Sequence, residues 1–287
     1  MKIGEIQQEL ITSLLSIHNE GEAGTICDWV LEYHTGRNRM QRMIDKETQL
    51  PSETITAILL CKDQLLQHRP VQYVLGEAWF MGLKFFVNEA VLIPRPETEE
   101  LVALLLDSCK LNSDEGLMSF ILDIGTGSGC IPIALKKQLP GADIVSVDVC
   151  NEALQTAIKN ASANQVSVNF LHMNFLDENK WDSLPVFDTI ISNPPYIPLS
   201  EKATLDKHVI AWEPGTALFV PDNDPLLFYK KIGIFGKTHL AAGGKIFVET
   251  HQDYAVAAQQ MFEENSYATE LKKDINGNDR MITAWVA

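Results

Sequence analysis

Basic residues are scarce in this chain: 23 Lys and Arg stand against 38 Asp and Glu in 287 residues, a formal net charge of −15. Affinity for nucleic acid comes largely from basic side chains meeting phosphates. The balance therefore disfavours direct nucleic-acid binding and favours a protein or small-molecule substrate. Cysteines are few, odd in number and scattered (Cys27, Cys61, Cys109, Cys130, Cys150). That pattern excludes a disulfide framework and a zinc site, and it fits a reducing cytoplasm. His208 and His251 have no partner at metal-ligand spacing, so no metal is expected. The opening MKIGEIQQELITSLL lacks both a continuous apolar core and a small-residue cleavage site. No apolar run approaches the roughly 20 residues of a membrane span. A soluble, cytoplasmic, monomeric protein without membrane association is the expectation.

What is present is enough apolar material, 46% of residues, for one large domain and a small one. Residues 1–70 read as helices. Ile3, Ile6, Leu10, Ile11, Leu14 and Leu15 share a helical face, and Ile55, Ile58, Leu59, Leu65 and Leu66 repeat the pattern after Pro51, which suits a helix start. From 71 to 95, short aromatic and β-branched runs broken by Gly76, Gly82 and Asn88 predict a β-hairpin connector. From Pro96 to residue 287, helical and strand patterns alternate. Residues 97–109 are helical, with acidic residues at the positive end of the helix dipole. FILDIG, ADIVSVD, VSVNFLH and FDTIIS follow as strands with helices between, then KIFVET and two closing strands joined by Asn276-Gly277-Asn278. This alternation predicts an α/β fold: a doubly wound, mostly parallel sheet with an antiparallel hairpin at one edge.

Two motifs carry chemistry. In LDIGTGSGC, at a strand-to-helix junction, Gly125, Gly127 and Gly129 let the backbone turn sharply and approach a ligand, with Thr126 and Ser128 between them and Asp123 ahead of the loop. Asp148 ends the next strand, where a carboxylate can take both ribose hydroxyls of an adenosine-containing cofactor. The spacing is G-x-G-x-G, not the G-x-G-x-x-G of dinucleotide sites. That favours S-adenosylmethionine over a dinucleotide. The second motif is ISNPPYIP, residues 191–198. Consecutive prolines end the strand and stiffen the segment after it. If the first and fourth strands are neighbours where strand order reverses, the two motifs face each other across one cleft. The Asn193 side-chain carbonyl and the Pro194 carbonyl can then accept both hydrogens of a planar, conjugated NH2 group. Two acceptors slightly off its plane favour a pyramidal nitrogen and stabilise the positive charge growing on it. Pro195 holds the acceptors open, and Tyr196 can pack flat on the planar group. The implied reaction is methyl transfer to an amide or exocyclic amino nitrogen.

The segments DIGTGSG, SNPPYIP, LIPRPETEELV, RPVQYVLGEAWFMGLKFFVN and WEPGTALF resemble the release-factor glutamine methyltransferase family (HemK/PrmC), from about residue 68 to the C-terminus. The resemblance implies a Rossmann-like class I methyltransferase sheet behind a small helical domain. It also implies S-adenosylmethionine as cofactor, with S-adenosylhomocysteine as product. The substrate would be the glutamine of the Gly-Gly-Gln motif in peptide chain release factors. Cofactor contacts fall at Gly125 to Gly129, Asp148 and Asn193; the glutamine amide sits against Asn193 to Tyr196, and residues 1–70 help recognise the release factor. The chain departs from the family after the third strand. An acidic residue followed by Trp or another large residue is common there, whereas here the pair is Asn174-Phe175. Asn174 offers no acidic contact, but the Phe175 ring can stack on adenine. The alternative is an amino methyltransferase acting on an RNA or DNA base, which shares the NPPY motif. A non-catalytic cofactor-binding protein is a third reading. Arg95 and Glu97 either shape the site's mouth or start a helix, and Glu213 either orders the loop after NPPY or makes a turn. Cys130 is expected as a small core residue. Arg37, Arg39 and Arg42 are expected as a solvated basic face.

Overall fold

The computed structural model describes residues 1–111 and 120–286, with side chains described through residue 109 and again from 120. The chain divides into two compact units. One comprises Met1–Glu77 with Asp206–Trp212, and the other Ala78–Leu205 with Glu213–Ala287.

In the first unit, α1 (Ile3–Leu14), α2 (Glu20–Thr35), α3 (Arg39–Ile44), α4 (Ser52–Leu65) and α5 (Val71–Leu75) surround a small core. Ile3, Ile6, Leu10 and Leu14 are buried at the 3–4 spacing of one helical face. Asn19 caps α2 by accepting from the Glu22 N–H at 3.0 Å, and Gly36 ends that helix at φ 64°. The connector differs from the expected hairpin. Val71–Leu75 is helical because Pro70 starts a turn and Gly76, at φ 68°, closes it, while Val71 and Tyr73 are buried. The basic run also differs from a solvated face. Arg42 is buried and pairs with Asp28, donating besides to the Arg37 carbonyl at 2.6 Å, and Arg37 pairs with Asp45 at 3.1 Å. Asp28 and Asp45 offset two of the three charges, while Arg39, 3.8 Å from Asp28, stays exposed.

The second unit takes up the hairpin β1 (Glu77–Phe80) and β2 (Leu83–Phe86), turned at Met81-Gly82. After α6 (Pro96–Leu111) come β3 (Phe120–Ile124), α7 (Cys130–Gln138), β4 (Asp143–Asp148), α8 (Asn151–Ala163), β5 (Asn169–His172) and β6 (Phe187–Ser192). A short pair, β7 (Ile197–Pro198) and β8 (Phe219–Val220), follows, with α10 (Gly215–Leu218) before β8; α9 (Lys207–Trp212), between them in the chain, belongs to the first unit. Then follow α11 (Leu227–His239), β9 (Leu240–Glu249), α12 (Ala255–Glu264), β10 (Tyr267–Lys273) and β11 (Asp279–Val286).

Seven strands form one sheet in the order β10-β11-β9-β6-β3-β4-β5. All neighbours from β9 to β5 are parallel, and β11 runs antiparallel to both β9 and β10. Strand residues alternate between two cores. Leu122, Ile124, Val145, Val147, Ile190, Ile246 and Val248 join Tyr229, Ile232, Phe235 and Phe262 of α11 and α12. Ile121, Ile144, Ile191 and Phe247 join Leu101, Val102 and Leu105 of α6, Ile133 of α7, and Phe80 and Phe85 of the hairpin. Burial on both faces explains why these strands read as continuous apolar runs. Strand order reverses between β3 and β6, as the neighbouring first and fourth strands require.

Candidate active site

Register builds the site. Ile124 aligns with Ser192 on β6 and with Val147 on β4, and Asp148 aligns with His172 on β5. Gly125, Asp148, Met173 and Asn193 therefore leave the carboxyl edge of the sheet at one level. They border a cavity of about 390 Å³, within the size range of small-molecule sites. Gly125, Gly127, Asp148, Phe175, Asn193, Pro194 and Pro195 all line it, and Val149, Leu227 and Phe228 add apolar wall.

The glycine loop adopts φ values of 80°, 53° and 80° at Gly125, Gly127 and Gly129, which L side chains rarely tolerate. Gly129 also allows close packing: a Cβ there would lie 3.0 Å from Ile133 Cδ1 and 3.1 Å from Ala157 Cβ. Thr126 and Ser128 do not line the cavity. They are buried beneath the loop, with Thr126 donating to Ser146 Oγ at 3.2 Å. Gly129 likewise stands behind the lining. Asp148 holds the loop, its Oδ2 accepting from the Gly127 N–H and its Oδ1 from the Cys150 N–H, both at 2.8 Å. Asp123 is fully buried and accepts from Ser146 at 2.7 Å; loss of water pushes its carboxyl up to about 7.

Phe175 is nearly buried, its ring 5.5 Å from that of Trp181 and 5.3 Å from that of Phe235, so it is both a core residue and part of the wall. Asn174 Oδ1 accepts from the Leu176 N–H at 3.1 Å and shapes the turn. Tyr196 stands outside the lining. Its ring packs on the core and its hydroxyl donates to Glu249 Oε1 at 3.1 Å. Arg95 pairs with the buried Glu213 at 2.5 Å, and the Ile93 N–H donates to the same carboxylate at 3.4 Å, tying the segment before α6 to the segment before α10. Burial pushes the Cys130 thiol up to about 12, as for an inert core residue.

Two participants were not among the residues expected from the sequence, although Thr98 lies within LIPRPETEELV. Glu249, in KIFVET, follows the aligned pair Ser192 and Val248 and so stands beside Asn193. Thr98, in α6, donates to Glu249 Oε2 at 2.7 Å and accepts from Asn193 Nδ2 at 2.9 Å. A carboxylate ending an apolar parallel strand is the one sequence signal that could have pointed to Glu249.

The residues present fit an adenosine-type cofactor: a positive-φ glycine turn open to the cavity, a carboxylate at the next strand end, and an apolar wall after the third strand. Fold and site together define a methyltransferase. Residues 102–211 match the methyltransferase small domain and residues 8–76 the PrmC N-terminal domain. The fold is like that of the hMettl16 catalytic domain in complex with the MAT2A 3'UTR hairpin 6, with a TM-score of 0.54 at 15% identity over 81% of each chain. That likeness concerns the fold alone. The chain belongs to the release factor glutamine methyltransferase family. It is 41% identical over 284 residues to the release factor glutamine methyltransferase of Flavobacterium psychrophilum, covering 98% of each chain. It is 36% identical over 267 residues to that of Enterococcus faecalis, covering 92% of this chain and 93% of the other.

Proposed function

We propose that this protein transfers a methyl group from S-adenosylmethionine to the side-chain amide nitrogen of the glutamine in the Gly-Gly-Gln motif of peptide chain release factors. The relatives named above carry that activity in their names. The observation that carries the reading for this chain is the single cavity bordered by the glycine loop and Asp148 on one side and by Asn193-Pro194-Pro195 on the other.

Bound there, S-adenosylmethionine supplies an electrophilic methyl group on a sulfonium. Gly125 and Gly127 bring backbone close to the cofactor, and Asp148 offers carboxylate oxygens to the ribose. Phe175 with Met173 walls the adenine. Asn193 Oδ1 and the Pro194 carbonyl accept the two hydrogens of the glutamine amide, turn its lone pair towards the sulfonium, and stabilise the charge that develops on nitrogen. Apolar walls keep water out. Residues 1–70 recognise the release factor, residues 71–95 link them to the catalytic part, and residues 96–287 perform transfer. The protein acts in the cytoplasm as a monomer, on a protein and not on a nucleic acid, and releases S-adenosylhomocysteine.

Mass spectrometry of recombinant release factor, after incubation with the protein and labelled cofactor, tests this directly. A gain of one labelled methyl group in place of a hydrogen on the Gly-Gly-Gln peptide is expected. Label appearing on RNA or DNA bases, with none on release factor, would overturn it. Asn193→Ala should lower kcat by roughly 10²–10³-fold with less change in cofactor affinity.

A further inference from the structure

An asparagine amide can face a cavity either way round, because its oxygen and its NH2 are nearly the same size. Only one orientation presents an acceptor. The choice is made behind Asn193. Its Nδ2 donates to Thr98 Oγ1 at 2.9 Å, and Thr98 Oγ1 donates to Glu249 Oε2 at 2.7 Å. The other carboxylate oxygen accepts from the Tyr196 hydroxyl at 3.1 Å. Thr98 and Glu249 are 3% and 1% exposed, so water does not compete for these bonds.

A hydroxyl has one proton. Both oxygens of Glu249 accept here, one from Tyr196 and one from Thr98, so Thr98 gives its proton to Glu249 and its oxygen can then only accept. What it accepts from Asn193 has to be an N–H, which turns Asn193 Oδ1 away from Thr98. We propose that Glu249, acting through Thr98, is a positioning residue that fixes the Asn193 amide with its oxygen towards the methyl-accepting nitrogen, and that its second oxygen anchors Tyr196 at the far end of the same tetrapeptide. This rests on the reading of the site given above. Two of the four residues in Asn193–Tyr196 are thereby tied to one buried carboxylate on the neighbouring strand.

Burial raises the Glu249 carboxyl above its usual range, while Thr98, Tyr196 and the charge of Arg280 act to keep it ionised and Glu97 opposes them. A neutral amide at this position no longer forces the chain one way, since it can offer either its oxygen or its NH2 to Thr98. The amide nitrogen introduced by Glu249→Gln can donate to Thr98 Oγ1. Thr98 then donates to Asn193 Oδ1, and the NH2 of Asn193 turns to the cavity, where it repels the substrate amide instead of accepting from it.

Full-length wild type, Glu249→Gln, Thr98→Val and Thr98→Ser are compared in single-turnover methylation of a release factor, with cofactor affinity measured by calorimetry. Glu249→Gln and Thr98→Val should lose about 10²-fold in transfer rate, while Kd for S-adenosylmethionine and KM for release factor change less than about threefold. Thr98→Ser should restore most of what Thr98→Val loses. In the ligand-free protein, the side-chain NH2 of Asn193, followed by NMR with asparagine-selective ¹⁵N labelling, should exchange slowly in wild type and faster in Glu249→Gln. Transfer within threefold of wild type in Glu249→Gln overturns the proposal, as does a Thr98→Ser variant no better than Thr98→Val. The serine–valine comparison decides the matter if Glu249→Gln does not fold. A wild type that leaves release factor unmethylated removes the release-factor reading itself; an active wild type with unaffected variants removes only the positioning role.

Discussion

Asp148 receives two backbone N–H groups, from Gly127 and Cys150, so its carboxylate is set in place by the loop that it also holds. If it takes the ribose as proposed, removing it loses those charge-assisted bonds and loosens the glycine turn together. Asp148→Ala should weaken S-adenosylmethionine binding 10–100-fold by calorimetry, about 1.4–2.7 kcal/mol; unchanged affinity in a folded variant would reject the role. Asp123 makes the opposite bargain with burial. Its folded carboxyl titrates near 7 against an ordinary value of 3.8. The folded state therefore holds its proton where the unfolded chain has lost it, so the stability this carboxyl contributes falls as pH rises from about 4 to about 7. Asp123→Asn removes that dependence. Its stability relative to wild type should improve by roughly 2–4 kcal/mol between pH 4 and pH 8, measured by urea unfolding at each pH.

At the scale of elements, a buried asparagine joins three of them. Asn160 on α8 donates through Nδ2 to the Phe86 carbonyl at 2.9 Å and to the Ser128 carbonyl at 2.8 Å, and its Oδ1 accepts from the Phe86 N–H at 2.6 Å. One side chain thus fastens the hairpin, the glycine loop and α8. Asn160→Ala would leave those backbone groups without the partner and should cost about 2–4 kcal/mol in urea unfolding. Because Ser128 belongs to the loop, cofactor affinity should fall as well. A variant within 0.5 kcal/mol of wild type would show that other groups replace these bonds. The hairpin was legible in the sequence as alternating aromatics around Gly82, yet helix α5 before it was not. Pro70 and Gly76 look like strand breakers, and act here as the two ends of one helical turn.

Across the whole molecule, the first unit exposes large apolar side chains on α2 and α3: Trp29 is 45% exposed, Met43 69% and Ile44 77%. Such residues are the usual material of protein recognition. If this unit engages release factor, Met43→Glu with Ile44→Glu should raise KM for intact release factor about tenfold. Affinity for S-adenosylmethionine should not move, since its proposed site lies wholly in the other unit. An unchanged KM would exclude these two side chains from the contact. Deleting residues 1–70 is a poorer test, because residues 206–212 belong to the same compact unit and would lose their surroundings.

Except for α5 and the short elements between β6 and α11, the sequence by itself determined the order of helices and strands, since period 3.6 and doubly buried apolar runs are local properties. It also determined the two motifs, because a positive-φ glycine turn and a double-proline strand end are written in consecutive residues. Only the tertiary structure decided the rest. Arg42 looked like surface charge until Asp28, fourteen positions away in sequence, proved to be its partner. Thr98 and Glu249 lie 95 residues before and 56 residues after Asn193 by number; nothing in either segment says that the two meet at Asn193. Glu249 meets Asn193 because β6 and β9 pair in a register set by burial of whole strands, and Thr98 meets it because α6 packs its apolar face on those strands; neither is a property of any one segment. The acceptor at the end of β6 was therefore visible in the sequence, while the groups that aim it became visible only with the fold.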